Sequence, residues 1–231
     1  MNWEITTKRF IAFFDIMGFK EMVFRLKHEE VFKKLRDLSF IIDTIKKYDR
    51  SLSNTNKIEV ANYATIKSVM FSDSVLFISE GATREDAKTT IVAAVWILNL
   101  CLRSEIPIKG AIAYGDFTAE LEYSIYFGQP LIDAFLLQDE LLFYGAIIHH
   151  SLESFLILNN INFDNLLSEY MTPLKSGKVK HKIVNWANPK LDLGYSLSPT
   201  NGVKNLYCSV SGKPRIYVDN TLDYINSLQI E

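Results

Sequence analysis

Lys8–Gly18 reads KRFIAFFDIMG, and this stretch decides how the rest of the chain is read. It is an almost unbroken apolar run, rich in β-formers, with one carboxylate, Asp15, set inside it. A run this apolar predicts a central strand covered on both faces. A charged carboxylate buried there is costly unless a cation or a hydrogen-bond donor meets it. Gly18 ends the strand. Beyond it, Lys20–Tyr48 has the apolar spacing of one long helix, with Val23, Leu26, Val31, Leu35, Leu38, Ile41, Ile42 and Ile45 on its stripe. Asn62–Met70 and Ser74–Ser79 read as two strands joined by a tight turn near Phe71-Ser72-Asp73. Thr83–Leu102 reads as a second helix, with Thr83 as N-cap and Glu85 and Asp86 in its first turn.

Pro107–Tyr114 is the next predicted strand, closed by Gly115, with Phe117–Phe127 returning beside it. Pro130–Leu142 is a helix with proline at its start. Gly145–His150 reads as a short strand and Leu152–Asn159 as the start of a helix. Two histidines side by side in a strand, His149 and His150, point to opposite faces and would not chelate one ion. After Asn160 the pattern weakens. Asn162–Pro173 reads as helix, Val179–Trp186 as strand and Asp192–Asn205 as a long loop. Lys213–Asp219 reads as strand, with Asn220 capping a last short helix. The order β-α-β-β-α-β is the α+β ferredoxin-like, or palm, arrangement: an antiparallel sheet with helices on one face. The other face is left for a ligand, a partner subunit or both. With no repeat and no break in composition, residues 1–231 are expected to form one domain, with a core near 8–151 and a C-terminal elaboration near 152–231.

Composition narrows the function classes. The 231 residues are 48% hydrophobic, and 25 cations against 27 acids leave a net charge of −2, which argues against both disorder and general nucleic-acid binding. The longest apolar runs, such as Ile91–Leu102, are too short to span a bilayer, and the first residues lack the layout of a signal peptide. Cys101 and Cys208 lie in apolar segments and are expected to be reduced core residues. The expectation is a cytoplasmic protein with no nucleic-acid or membrane partner.

The chemistry is predicted from two acids. In a ferredoxin-like sheet the first strand neighbours the hairpin, so Asp15, at the strand end, and Asp73, at the hairpin turn, should meet. Two carboxylates at one sheet edge make a hard-oxygen site suited to Mg²⁺ or Mn²⁺ rather than zinc. Gly18 opens a helix whose first amides attract phosphate, and without a Cβ it admits a close approach. Metal carboxylates beside an amide cradle suit a nucleoside triphosphate. Taken singly, each acid also fits a plainer role, Asp15 as a helix cap and Asp73 as a turn residue.

FFDIMGF resembles the first strand and turn of class III nucleotidyl cyclases, which read F-x-D-I-x-G-F. MFSDSVLFIS is similar to their hairpin, IPIKGAIAYGDF to the strand usually read as Arg-Gly and a small-apolar run, and YFGQPLIDAFLLQDEL to the segment that opens the following helix. The match runs from about Arg9 to Ser151. In detail it is closer to a divergent bacterial branch that includes pyrimidine cyclases of anti-phage defence. The resemblance implies two metal ions held by Asp15, Asp73 and the carbonyl of Ile16, with the triphosphate on the Ile16–Gly18–Phe19 turn. It implies attack of the ribose 3′-hydroxyl on the α-phosphorus with loss of pyrophosphate, at a site between the subunits of a homodimer.

The departures are informative. The asparagine and arginine that stabilise the transition state in purine cyclases fall at Ile132 and Leu136, the arginine after the strand's glycine at Asp116, and the adenine-reading lysine at Val69. Lys109 is one candidate for the missing positive charge, and Lys180, Lys182 and Arg215 are others. Tyr63, Thr65, Lys67 and Val69 share one strand face, where Tyr63 could stack on a base and Lys67 donate to a pyrimidine carbonyl. The same two residues also fit a core tyrosine and a solvated lysine. A cyclase homologue that binds a nucleotide or a protein without chemistry is the competing reading.

Overall fold

In the computed structural model, residues 3–47, 66–188 and 199–228 are described. The opening run forms β1 (Thr6–Ile16) and a short helix α1 (Phe19–Arg25) follows, with α2 (His28–Lys47) after it. The single helix expected over Lys20–Tyr48 is thus two. Leu26 turns to extended backbone, and Glu30 accepts from the Lys27 amide to start the second. The hairpin is β2 (Lys67–Phe71) and β3 (Ser74–Ile78), and α3 spans Arg84–Arg103. Thr83 and Asp86 cap α3 reciprocally, as a capping box does.

β4 (Ile108–Glu120) runs straight through Gly115, where the sequence suggested a stop, and β5 (Ile125–Gly128) is a short return. Then come α4 (Gln129–Glu140), β6 (Ala146–Ile148) and α5 (His150–Leu158). His149 and His150 open α5 rather than ending a strand. His149 Nδ1 accepts from the Ser151 amide at 3.4 Å, and the two rings lie 4.0 Å apart.

The C-terminal third departs most from expectation. The segment read as helix is strand β7 (Leu167–Leu174), paired with β8 (Gly177–Val184). Part of the expected loop is helix α6 (Pro199–Leu206), and the segment read as strand lies inside α7 (Lys213–Ser227). In α7 the buried residues Tyr217, Val218, Thr221, Tyr224 and Ile225 recur at helical spacing, so tertiary burial overrides the β-like run at its start. Cys101 is buried as expected, with its thiol pushed up by desolvation, but Cys208 is exposed and is not a core residue.

The sheet order is β2-β3-β1-β4-β6-β8-β7, with β5 paired to the far end of β4. Its first four strands have the ferredoxin-like order, antiparallel throughout; the β4–β6 pair is parallel. One face packs Phe10, Ala12, Phe14 and Ile16 of β1 into the main core with α2 and α3. On the other, Arg9, Ile11, Phe13 and Asp15 lie opposite Gly115, Ala113, Ala111 and Lys109 of β4. The small residues Gly115, Ala113 and Ala111 leave room for α4, which packs against β4 and β1 here. Pro130 stands 3.3 Å from where a Cβ on Gly115 would be, and Phe135 meets Phe13 edge-on at 5.6 Å. That second face is therefore covered over β4 by α4.

Candidate active site

Asp15 is the last outward-facing residue of β1 on the α4 side. Its strand partners are Ser74 of β3 and Lys109 of β4. Ser72, at φ 55°, takes the left-handed first position of a two-residue hairpin turn, and Asp73 follows it. The Asp73 carbonyl accepts from the Ile16 amide at 3.0 Å, which fastens the turn to the residue after Asp15. The two carboxylates that the sequence placed together share one end of the sheet. Burial, and next the charge of Asp73, push the Asp15 carboxyl up to about 6, while Lys109 pulls it back and Asp139 adds to the rise.

Lys109 is 3% exposed, and its Nζ donates to the main-chain oxygens of Asp139 at 3.2 Å and Leu141 at 3.4 Å, at the C-terminal end of α4. Carbonyls there carry the negative end of the helix dipole and suit a cation. Gly110, the next residue, could not be larger: a Cβ would fall 2.4 Å from the Phe14 ring and 2.5 Å from the Phe13 carbonyl. Desolvation lowers Lys109 to about 8, against the pull of Asp139.

Gly18 has φ 73° and caps α1 from the left-handed region, a conformation that favours glycine. Phe19 is the first residue of that helix. Lys67 lies at the other end of the hairpin from Asp15, paired with Ile78, and its Nζ sits 5.8 Å over the Trp3 ring. It shares a strand face with Val69, which packs on the small apolar cluster of Ile11, Leu76 and Phe117. Tyr63 and Thr65 lie outside the described residues. Ile132 and Leu136 are exposed on α4.

Three residues at the site were not found from sequence. Asp139 ion-pairs with Lys175, of the β7–β8 turn, at 2.6 Å. The ring of Tyr217 lies 5.7 Å from Lys109 Nζ. One signal was present: Asp139 and Glu140 end α4 with no basic residue in the last turn, which is unfavourable unless cations come from elsewhere. Of the other cations considered from the C-terminal third, Lys180 pairs with Glu169 out on the hairpin, and Arg215 stacks on Tyr207 at 4.4 Å. Lys182 lies on the same hairpin, with its amide 3.4 Å from Glu153 Oε1.

A raised carboxyl beside a second one fits a divalent cation, because a bound cation would remove the like-charge cost. Among the described residues no group of three or more His, Cys, Asp or Glu could hold a metal. A pair is still sufficient for Mg²⁺, which takes one or two carboxylates and fills its shell with water and substrate phosphate. Among the same residues no helix is long and apolar enough to cross a membrane.

No family model matches the chain, and no curated protein does. Solved structures do match. One is the catalytic core of a rhodopsin-guanylyl cyclase with converted specificity, in complex with ATPαS; it is 15% identical over 77% of this chain and 94% of its own, with a TM-score of 0.56. Another is the guanylyl cyclase Cya2, 16% identical over 86% of this chain and 99% of its own, with a TM-score of 0.50. At such identities the likeness is one of fold: this chain has the α+β, palm-like fold of those cyclase cores.

Proposed function

We propose that the protein is a metal-dependent nucleotidyl cyclase, converting a nucleoside triphosphate to a 3′,5′-cyclic nucleotide and pyrophosphate. The observation that carries this reading is the meeting of Asp15 and Asp73 at one end of a cyclase-like sheet, with the Asp15 carboxyl raised by burial and by its neighbour. Asp15, Asp73 and the Ile16 carbonyl would hold two Mg²⁺ or Mn²⁺ ions, which supply charge neutralisation at the triphosphate and lower the pKa of the 3′-hydroxyl. The turn at Gly18 and Phe19 would seat phosphate oxygens on main-chain amides, while the Ile16 amide is held by the Asp73 carbonyl and leaves the Ile16 carbonyl for the metal. The new bond joins O3′ to the α-phosphorus, the 3′-hydroxyl proton passes to solvent water, the bond from that phosphorus to the bridging oxygen breaks, and the electron pair leaves with pyrophosphate. Lys109, fixed opposite Asp15, contributes positive charge near the developing negative charge.

The reading extends to a pyrimidine substrate, UTP or CTP, and a signalling product of anti-phage type. Its support is the sequence resemblance, with Val69 in place of an adenine-reading lysine and Lys67 on the same strand face. It extends also to a homodimer closing the site. Ile125 and Phe127 of β5 and Ile132, Phe135 and Leu136 of α4 are large apolar side chains left exposed on consecutive elements. The apolar identity of Ile132 and Leu136, at positions where the resemblance to purine cyclases implies asparagine and arginine, favours the second reading, a homologue that binds nucleotide without turning it over.

The test is incubation with each of the four nucleoside triphosphates and Mn²⁺ or Mg²⁺, with product masses read out. A cyclic pyrimidine nucleotide with pyrophosphate is expected. No turnover of any triphosphate overturns the enzyme, and thermal stabilisation by a triphosphate without product establishes the binding module.

A further inference from the structure

The C-terminal helix reaches the site through Lys109. Tyr217 of α7 is 8% exposed and places its ring 5.7 Å from the buried ammonium, within range of a cation–π contact. The ring is braced from behind by Tyr144, stacked at 5.9 Å and 21°. Tyr144 belongs to the segment joining α4 to β6, and α7 holds that segment twice more. Thr221 Oγ1 accepts from the Tyr144 amide at 2.8 Å, and Asn220 Nδ2 donates to the Leu142 carbonyl at 2.8 Å. The neighbouring carbonyl of Leu141 is one of the two that Lys109 donates to. α7 therefore touches the lysine directly, through an aromatic face, and indirectly, through the carbonyl that receives it.

We propose that Tyr217 is a positioning residue, whose ring holds Lys109 against the strand opposite Asp15, so that the C-terminal elaboration is an integral part of the reaction site. The aromatic face carries this role, not the hydroxyl: a ring keeps the ammonium in place without accepting its proton. The inference rests on the cyclase reading for its effect on turnover but not for the contact itself.

The experiment compares Tyr217→Phe, Tyr217→Leu, Lys109→Met and the Tyr217→Leu/Lys109→Met double variant, each checked for an unchanged melting transition. Tyr217→Phe keeps the ring and should keep kcat. Tyr217→Leu should lower kcat about tenfold with KM little changed, the scale of a desolvated cation–π contact. The double variant should be no slower than Lys109→Met, because the tyrosine acts through the lysine. Equal losses in the Phe and Leu variants, or losses that multiply in the double variant, would overturn the proposal. NMR of ¹³Cε-labelled lysines supplies a second measurement. The signal that vanishes in Lys109→Met should be shifted by the ring in wild type and in Tyr217→Phe, and should move in Tyr217→Leu. An unmoved signal refutes the contact. An active-site reading that fails for lack of turnover leaves this measurement to decide alone.

Discussion

β1 carries an ionisable side chain near each end on the same face, Arg9 buried and Asp15 half-buried, and the two are treated in opposite ways. Arg9 is fully buried, yet its guanidinium donates to the carbonyl oxygens of Ser79 at 2.7 Å and of Glu80 and Glu4, with Trp3 stacked at 3.9 Å. Burial lowers its pKa while Glu4, Glu80 and Asp86 support the charged form. Six residues further along the strand, Asp15 is desolvated beside another carboxylate. At the first end main-chain carbonyls meet both terminal nitrogens of the guanidinium, leaving only Nε without a partner among the described residues, and at the second a carboxyl is held beside a like charge even with Lys109 near it. A buried ion met by main-chain acceptors holds structure, whereas a carboxyl desolvated beside a like charge is a candidate for binding a cation.

The sharpest way to break this contrast is to neutralise the two ends separately. Asp15→Asn or Asp73→Asn should reduce turnover on the order of a thousandfold, because half of the cation site is lost; initial rates of pyrophosphate release decide it, and retained activity would place the metal elsewhere. Arg9→Met should do the reverse. It leaves several buried carbonyls without their donor and should cost about 3 kcal/mol of stability in urea unfolding, while turnover per folded molecule stays at the wild-type level.

A smaller effect separates the ends by pH. The folded Asp15 carboxyl, near 6, lies above its ordinary value of 3.8. Between those values the unfolded chain gives up its proton first, so stability falls as pH rises through the interval and the penalty is complete above about 6. Metal-free Asp15→Asn should therefore melt above wild type at pH 7.5, with the gap closing near pH 4; a gap independent of pH would contradict the raised carboxyl. Mn²⁺ should narrow the gap by stabilising wild type alone. The least effect is expected at the rim. The Lys175–Asp139 pair is 41% and 58% exposed, and Lys175→Ala should cost under about 1 kcal/mol of stability, seen as a small shift in melting temperature that salt diminishes.

How much was legible follows from how local each signal is. Asp15 and Asp73 could be paired on paper because the tight turn near Phe71-Ser72-Asp73 is a local signal and the β-α-β-β-α-β order places the first strand beside the hairpin, although Asp15 and Ser74 are far apart in sequence. The sheet order of the first four strands followed from the same rules. The break between α1 and α2 was missed because the apolar stripe runs on past Leu26, and only the backbone turn there separates them. Lys213–Asp219 alternates like a strand, but Tyr217 and Val218 belong to a helical stripe completed by Thr221, Tyr224 and Ile225. A stripe of that kind is recognisable only when the surface that covers it is known.

The sequence by itself determined the central strand, the two acids and the order of elements that brings them together, because strand period and turn chemistry are local and that order of elements admits few sheet topologies. Only the tertiary structure decided what surrounds those acids: α4 laid against the small residues of β4, Lys109 pinned to that helix's last carbonyls, and Tyr217 and Lys175 brought in from the far end of the chain. Those contacts join residues from 30 to more than 100 positions apart. No local propensity encodes them, since they form only when the burial of the whole core has fixed where each element lies.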